Sequence, residues 1–513
     1  MDRRFQSAPY RAESLGRPVW RRIWPAGALF LALFAWPLSG LAQQPANVSL
    51  EANEQLFSVL AALNAAGYDT GLGVDTGNPT RDEVRAVLAK KNIPVVPQLR
   101  KFYEEHRIAG DSGADLGQYV SLALLLGPPP DFALSARQTD LPPDARKVVG
   151  LVPLLKNFYE QANLVAIWSK KQARYQAEID RYSEPVRNSI ELADAYLRFP
   201  SGAYLGRKYS IDLSLLGAPE QVQARIYGSN YYLVVTPSKQ LKVAEIRHQY
   251  LHFLLDPLAV KYAAEIHQKA PLLRVAREAP NLGRDFKDDF SLLETECLIR
   301  AVELRMDKPL KAAAEKSVQE LTESGLILVP FFYSALAAYE QQEASMNVFY
   351  KDMVRGIDLD QEQKRLASVS FSPRPEPPNN AAQPALSEEE RMLNQGDNYI
   401  YENRYSEAQG AFQAVLEKFD PNNERALFGL AIVASNTRKP DTAEEYFSKV
   451  LERGRDVRLV TWSHIYLGRI QDLKGNRKEA LEQYRAASLT AAGYPEALRA
   501  VQNGLAHPFG SKE

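Results

Sequence analysis

The hydrophobic pattern from about residue 49 to residue 358 is mostly that of amphipathic helices. Leu56, Val59, Leu60 and Leu63 recur at the spacing of one helical face, and Gly67 marks the end of that helix. Similar patterns predict further helices over residues 84–90, 96–106, 145–164 and 171–197. We therefore predict a mainly α-helical globular domain over residues 49–358.

The pattern changes near residue 207, where alternation typical of strands replaces the helical period. Residues 207–215 alternate polar and apolar side chains. Two apolar runs, 222–227 and 231–235, flank a Gly-Ser-Asn sequence at 228–230 that is typical of a hairpin turn. The domain is thus expected to be α+β, with a small antiparallel sheet.

Two strong helical patterns follow the predicted hairpin. The first covers residues 239–255, with Ser238 as its N-cap and Asp256-Pro257 as its end. The second covers residues 291–306. Both predicted helices carry candidate functional side chains.

A proline-rich segment separates this domain from the rest of the chain. Residues 370–384 contain almost no large apolar side chain, so they cannot bury enough surface to offset chain entropy. We predict the end of a helix and a linker over residues 359–386, followed by a new helix that opens with the capping-box pattern Ser387-Glu388-Glu389-Glu390.

A repeated frame begins after the linker. Each unit has a small residue, an alanine twelve positions later, and an aromatic residue four positions after that. The three sets are Gly396, Ala408 and Phe412, then Ala431, Ala443 and Phe447, then Gly468, Ala480 and Tyr484.

This frame resembles the tetratricopeptide repeat family, whose helical hairpins place small residues where two helices touch and an aromatic ring in the gap between them. The resemblance implies an α-solenoid over residues 387–505 that binds a protein or peptide on its concave surface. The second unit departs from the pattern, because Lys439-Pro440 replaces the usual turn. A generic bundle of α-hairpins is the alternative.

Composition places the 513-residue chain among ordinary globular proteins. Hydrophobic residues make up 45% and charged residues 24%, and the formal net charge is −1. Because the two signs of charge are interspersed, no basic surface for nucleic acid is predicted. A single cysteine, Cys297, excludes an intramolecular disulfide.

The N-terminus has the pattern of a secretory signal. Arg17, Arg21 and Arg22 precede an apolar run at 26–36, and Gly40-Leu41-Ala42 supplies small residues for cleavage. We predict a signal peptide over residues 1–42 and export to the periplasm or exterior of a bacterial cell. An uncleaved N-terminal membrane anchor is the alternative, and no membrane span is expected after cleavage.

Two histidines lie four residues apart on the helix predicted over 239–255. His248 and His252 share one helical face, so both imidazoles can reach the same metal ion. The chain has six histidines in all, which makes a chance pair uncommon. Two half-buried histidines with a purely structural role are the alternative.

With Glu296 on the later helix, this pair resembles the gluzincin metallopeptidases, in which H-E-x-x-H on one helix supplies two zinc ligands and a later helix the third. It looks closest to poorly characterised exported bacterial members, through the segments 247–257 and 296–301. The resemblance implies a zincin-like domain with His248, His252 and Glu296 as zinc ligands, and Glu294 is a poorer ligand candidate. Glu296 also fits an ion pair with Arg300 at i,i+4.

Gln249 occupies the position of the family's catalytic glutamate. That carboxylate accepts a proton from zinc-bound water, and an amide cannot. The sequence therefore predicts a degenerate metallopeptidase that binds zinc with little or no peptidase activity. Glu245 and Glu294 are candidates for a substitute base.

Two further residues have candidate roles at the same site. Asp256 lies one turn after His252, where it can orient that imidazole or cap the helix. Tyr333 can stabilise an oxyanion, although core packing is the favoured interpretation of a tyrosine in an apolar run.

Three functions remain open at this point. The first is a binding protein that combines a zinc site without a base and a repeat array that docks a partner. The second is an active zinc metallopeptidase with a substitute base. The third is a scaffold without metal, in which the histidines are structural.

Overall fold

The computed structural model describes most of the chain after the predicted signal peptide. The chain divides into two units, Met1–Gln43 and Gln44–Glu513, and every residue described belongs to the second. The described ranges are 48–68, 79–108, 112–138, 141–199, 206–373, 388–401, 403–454, 456–491 and 494–510. The predicted signal peptide and residues 374–387 of the linker region lie outside them. Across these ranges, every helix is too short or too polar to cross a membrane.

Within the described ranges, seven helices form the first part of the domain. They are α1 Glu54–Ala66, α2 Thr80–Ala89, α3 Val96–His106, α4 Ser112–Leu124, α5 Pro143–Lys147, α6 Leu151–Gln161 and α7 Leu164–Leu197. The Asn53 side chain caps α1 by accepting from the backbone N–H of Leu56, and Gly67, with φ 108°, ends it as predicted. The helix predicted over 145–164 is divided among α5, α6 and α7, and Asn163 turns the chain between the last two with φ 48°. Their apolar faces share one core.

Four strands form a mixed sheet. They are β1 Val48–Glu51, β2 Lys208–Leu213, β3 Val222–Tyr227 and β4 Asn230–Val235. The order is β1-β2-β4-β3, and only β3 and β4 pair antiparallel, through the predicted hairpin turn. The prediction of an antiparallel sheet was therefore wrong for the other two pairings. Alternation of side chains indicates a strand but not the direction of its neighbour, and the four-residue β1 is too short to show a pattern.

A second set of helices packs against this sheet. They are α8 Val243–Lys261, α9 Ala263–His267, α10 Leu273–Ala276, α11 Arg284–Asp288, α12 Phe290–Asp307, α13 Lys311–Glu323, α14 Val329–Glu340, α15 Met346–Arg355 and α16 Leu359–Leu366, with a short 3₁₀ helix at Ala270–Leu272. Helix α12 matches the helix predicted over 291–306. Leu366 of α16 is buried in the core that these helices share with the sheet, so this core extends beyond residue 358.

Helix α8 differs from its prediction at both ends. It begins at Val243 without a side-chain cap, so the expected N-cap at Ser238 was wrong. It also continues through Pro257, where an end was predicted. Proline lacks the N–H that would bond to the carbonyl of Phe253. The Arg207 guanidinium donates to that carbonyl instead, at 2.6 Å, and so allows α8 to continue.

The C-terminal part is an array of helical hairpins. Its helices are α17 Glu388–Tyr401, α18 Tyr405–Lys418, α19 Glu424–Asn436, α20 Pro440–Arg453, α21 Val457–Leu473, α22 Arg477–Ser488 and α23 Pro495–Ala506. The alanines and aromatic residues of the predicted frame are all buried. Pro440 is the first residue of α20, a position that tolerates proline because its N–H would have no helical partner.

Two of the three aromatic residues of the frame, Phe412 and Tyr484, lie where glycines let two helices approach. Tyr484 of α22 packs against Gly468, where an added Cβ would lie 2.7 Å from the ring, and against Gly504, where it would lie 2.5 Å away. The Tyr484 hydroxyl is held by Asp472 at 2.9 Å, so the ring cannot swing aside. The two glycines of the frame therefore have the steric role that the resemblance implies.

The array packs against the domain. Helix α23 lies against α8, α9 and α12, and α21 lies against α5. Arg458 of α21 donates to the carboxylate of Asp288 in α11 at 2.8 Å. The array thus contacts both helices that carry the predicted metal ligands.

Replacing Gly468 with alanine is expected to destabilise the array. The new methyl group overlaps the fixed ring of Tyr484, and overpacking of this kind costs about 1–3 kcal/mol. The matched control is Gly410→Ala in α18, where an added Cβ meets nothing within 4 Å. Because alanine is the better helix former, the control should gain about 0.5–1 kcal/mol. Thermal denaturation of both variants measures the effect, and equal midpoints would contradict the prediction.

Candidate metal site

Buried tyrosines hold the helix that carries the two histidines. Tyr209 of β2 donates to the carbonyl of Ile246 at 3.0 Å, which fixes the first turns of α8 against the sheet. Tyr250 of α8 donates to Asp194 of α7 at 2.8 Å. Both tyrosine side chains are fully buried, so α8 is anchored on either side of His248.

His248, His252 and Glu296 converge between α8 and α12. Glu296 Oε2 lies 3.4 Å from Nε2 of His248 and 3.3 Å from Nε2 of His252. The ring centroids of the two imidazoles are 4.9 Å apart, and their planes are nearly perpendicular. One ligand atom from each of the three residues lies within 4.8 Å of the other two. The structure therefore brings together all three residues predicted as metal ligands.

A second carboxylate contacts the far side of each imidazole. Glu303 Oε1 lies 3.2 Å from Nδ1 of His248, and Asp256 Oδ1 lies 3.0 Å from Nδ1 of His252. A carboxylate accepts the proton of Nδ1, which leaves Nε2 of a neutral ring with a lone pair directed at Glu296. Metal-binding histidines commonly have such partners.

Arg300 orients the carboxylate of Glu296. Its Nε donates to Glu296 Oε1 at 2.7 Å, and its Nη1 donates to Glu303 Oε2 at 3.1 Å. The predicted i,i+4 ion pair is thus present, and it uses the oxygen that faces away from the histidines. The two interpretations of Glu296 are compatible, because Oε2 remains directed at both imidazoles.

The charges around the cluster favour positive charge at its centre. Burial disfavours the charged imidazoles, but the surrounding carboxylates outweigh it and raise the pKa of both His248 and His252, that of His252 to about 10. Burial also acts against the ionised carboxylate of Glu296. The two imidazoles and Arg300 nevertheless hold the pKa of Glu296 well below its usual range.

Gln249 lies beside the cluster at a polar groove of about 640 Å³, whose walls also include His248, Arg247 and Glu245. The hydroxyl of Tyr231 donates to Gln249 Oε1 at 2.6 Å. Burial raises the pKa of Tyr231 well above its ordinary value, so this hydroxyl keeps its proton. The amide is therefore fixed at the edge of the groove with its NH₂ group left to donate.

The two candidates for a substitute base differ in their surroundings. Glu245 lines the same groove, but its side chain is 49% exposed and pairs with Lys242 at 3.3 Å. Glu294 is fully buried, accepts a hydrogen bond from Tyr350 at 2.7 Å and does not line the groove. Burial raises the pKa of Glu294 to about 8, so its carboxyl is mostly protonated at neutral pH.

Tyr333 lies outside the cluster of His248, His252 and Glu296. It lines a separate groove of about 470 Å³, where the Arg305 guanidinium lies 5.0 Å from the centre of its ring. Its ring also packs against the domain core. These contacts fit the core-packing interpretation, and the oxyanion role has no geometric support.

Sequence reasoning missed two polar contacts of the site, those of Glu303 and Tyr231. Glu303 follows Glu296 by seven residues, two helical turns, so its place on the same face was recoverable from spacing. The contact of Tyr231 with Gln249 depends on how β4 packs on α8, which no local pattern reports.

Comparison with protein families identifies the array. A family model described as tetratricopeptide repeat matches residues 393–457, which span the first two predicted units. Neither the search of curated proteins nor the search of solved structures finds a match. The protein is thus mainly helical, with a small mixed sheet and a C-terminal tetratricopeptide region of a kind that commonly mediates protein–protein interaction.

Replacing Glu303 with glutamine tests its effect on His248. The variant keeps the size of the side chain but removes the charge that fixes the Nδ1 proton. If the cluster binds zinc, its zinc affinity should therefore fall about 10- to 100-fold. Competition with a chelator measures the zinc affinity. Glu320→Gln is the matched control, since Glu320 lines the same groove but pairs with Lys316 at 3.4 Å. Equal affinities in the two variants would contradict the role given to Glu303.

Proposed function

We propose that this is an exported zinc-binding protein with a metallopeptidase-like domain that lacks the catalytic base, and that its tetratricopeptide array binds a protein or peptide partner. The convergence of His248, His252 and Glu296 is the observation that carries the proposal. The export part of the proposal rests only on the signal-like pattern of residues 1–42.

The distances from the carboxylate to the two imidazoles support zinc. Zinc lies about 2.0–2.2 Å from histidine nitrogens and carboxylate oxygens, so two ligands of a tetrahedral ion lie about 3.4 Å apart. The distances from Glu296 Oε2 to the two Nε2 atoms are 3.4 and 3.3 Å. Imidazole and carboxylate donors with carboxylates behind the rings also suit zinc. Zinc at such a site lowers the pKa of a bound water and polarises carbonyl groups.

Gln249, the residue beside the site, supports a binding function rather than a catalytic one. Gln249 has no proton-accepting group at any ordinary pH, and the Tyr231 hydroxyl already occupies its carbonyl oxygen. Its NH₂ group can donate to a carbonyl or carboxylate of a molecule in the groove. The domain would then hold such a molecule near the metal without cleaving it.

An active zinc metallopeptidase is the second candidate. The observation in its favour is that Glu245 lines the same groove as His248 and Gln249. Against it, the carboxylate of Glu245 is half exposed to solvent and is already paired with Lys242 at 3.3 Å. A scaffold without metal is the third candidate, and it is separated from the other two by metal content.

Metal analysis of the purified protein separates the scaffold from the zinc-binding candidates. We expect about one zinc per chain in the wild type and a loss of most of it in His248→Ala, because two donors hold zinc far more weakly than three. His267→Ala is the matched control, since this exposed histidine of α9 lies outside the cluster. A wild type without zinc, or zinc retained in His248→Ala, would contradict the proposal.

Restoring the carboxylate tests the loss of the base. Gln249→Glu is expected to cleave an unfolded protein such as casein in a zinc-dependent way, while the wild type does not. A general base contributes about 10²–10⁴-fold to rate, so the gain should be measurable by release of labelled peptides. Gln249→Met is the inactive control. Cleavage by the wild type that is lost in Glu245→Gln would instead establish the second candidate.

A further inference from the structure

The domain meets the array at the junction of α11 and α12. We call Asp285, Asp288 and Asp289 the acidic corner. Asp289 is the N-cap of α12, and its carboxylate accepts from the backbone N–H groups of Ser291 at 2.9 Å and Leu292 at 3.3 Å. Asp289 is only 2% exposed, so the first turn of the helix that carries Glu296 is formed within the interface.

The array brings one arginine to the acidic corner. Arg458 Nη1 donates to Asp288 Oδ2 at 2.8 Å, and the Arg458 side chain is only 18% exposed. Burial tends to lower the pKa of Arg458, but the attraction of Asp288, Asp289 and Asp285 outweighs it and raises that pKa. The guanidinium thus interacts with all three carboxylates of the corner.

Charges of both signs meet at this interface, where Arg284 of α11 also lies 3.5 Å from Asp288 Oδ2. The array also presents Glu496. Burial together with this carboxylate raises the pKa of Asp289 above its ordinary value, while Arg458 opposes the rise. Without Arg458, the buried carboxylates would lose a compensating positive charge, and their mutual repulsion would act directly on the N-cap of α12.

A short path leads from this interface to the metal ligands. Glu296 follows Asp289 by seven residues, two turns along α12. Helix α23 of the array also packs on α8, which carries His248 and His252. Both helices of the candidate metal site are therefore in contact with the array.

We propose that Arg458 is a positioning residue for the metal site, through which docking of the array on the acidic corner holds Glu296 in place. The inference rests on the proposed zinc site and goes further, because it couples the array to the metal. A partner that separates the array from the acidic corner lowers zinc affinity. By linkage, loss of zinc weakens docking of the array on the acidic corner by the same factor.

The experiment compares zinc affinity with backbone order in the full-length protein. Arg458→Met removes the guanidinium and keeps an apolar stem, and Arg458→Lys keeps the charge. Asp288→Asn and the double variant Arg458→Met/Asp288→Asn complete a cycle that isolates the pair. Arg485→Met is the matched control, because Arg485 is exposed on α22. Chelator competition gives zinc affinity, and hydrogen exchange over residues 290–296 reports the order of α12.

The proposal predicts that Arg458→Met weakens zinc binding about 5- to 150-fold, the usual range for coupled sites. Exchange at the start of α12 should rise with it. Arg458→Lys should recover part of both effects, and Asp288→Asn should relieve part of the loss in the double variant. A purely structural role would not produce this rescue in zinc affinity.

Three outcomes would overturn the proposal in different ways. If the wild type binds zinc and Arg458→Met binds it equally well, the coupling is absent and the zinc site stands. If the wild type binds no zinc, the proposed function fails and the coupling fails with it. A loss of zinc affinity of the same size in Arg485→Met would also overturn it, since the effect would then be general.

Discussion

The burial of two imidazoles and one carboxylate between α8 and α12 is the interaction on which the site depends. Buried polar groups cost free energy unless each has a partner. Here Glu303 and Asp256 contact the outer nitrogens of the rings, and Arg300 holds the outer oxygen of the carboxylate. The inner oxygen of Glu296 is left 3.4 Å from Nε2 of His248 and 3.3 Å from Nε2 of His252. A cation between them would satisfy all three at once.

The rest of the domain keeps these two helices in register. Tyr209 and Tyr250 fix α8 to the sheet and to α7, and Arg207 bonds to the carbonyl of Phe253 that Pro257 cannot reach. At the other helix, the start of α12 is covered by the array. The array is therefore a structural neighbour of both helices of the candidate metal site.

Local patterns predicted the elements that carry the site better than the contacts that complete it. Helix α12, the hairpin of β3 and β4 and the buried frame of the array follow from periodicity and from the steric needs of glycine and aromatic residues. The direction of β2 beside β4 and the continuation of α8 past Pro257 depend on residues distant in sequence, such as Arg207. The same is true of Tyr231 at Gln249 and of the contact between Arg458 and Asp288.

The central claim is that the three inner donors hold one zinc ion, and diffraction at the zinc absorption edge tests it most directly. The account predicts an anomalous peak about 2.0–2.2 Å from Nε2 of His248, Nε2 of His252 and Oε2 of Glu296 in zinc-loaded crystals. It also predicts that Glu303 and Asp256 remain bonded to the Nδ1 atoms. A peak at other residues, or zinc bound through Nδ1 with both outer carboxylates displaced, would contradict it.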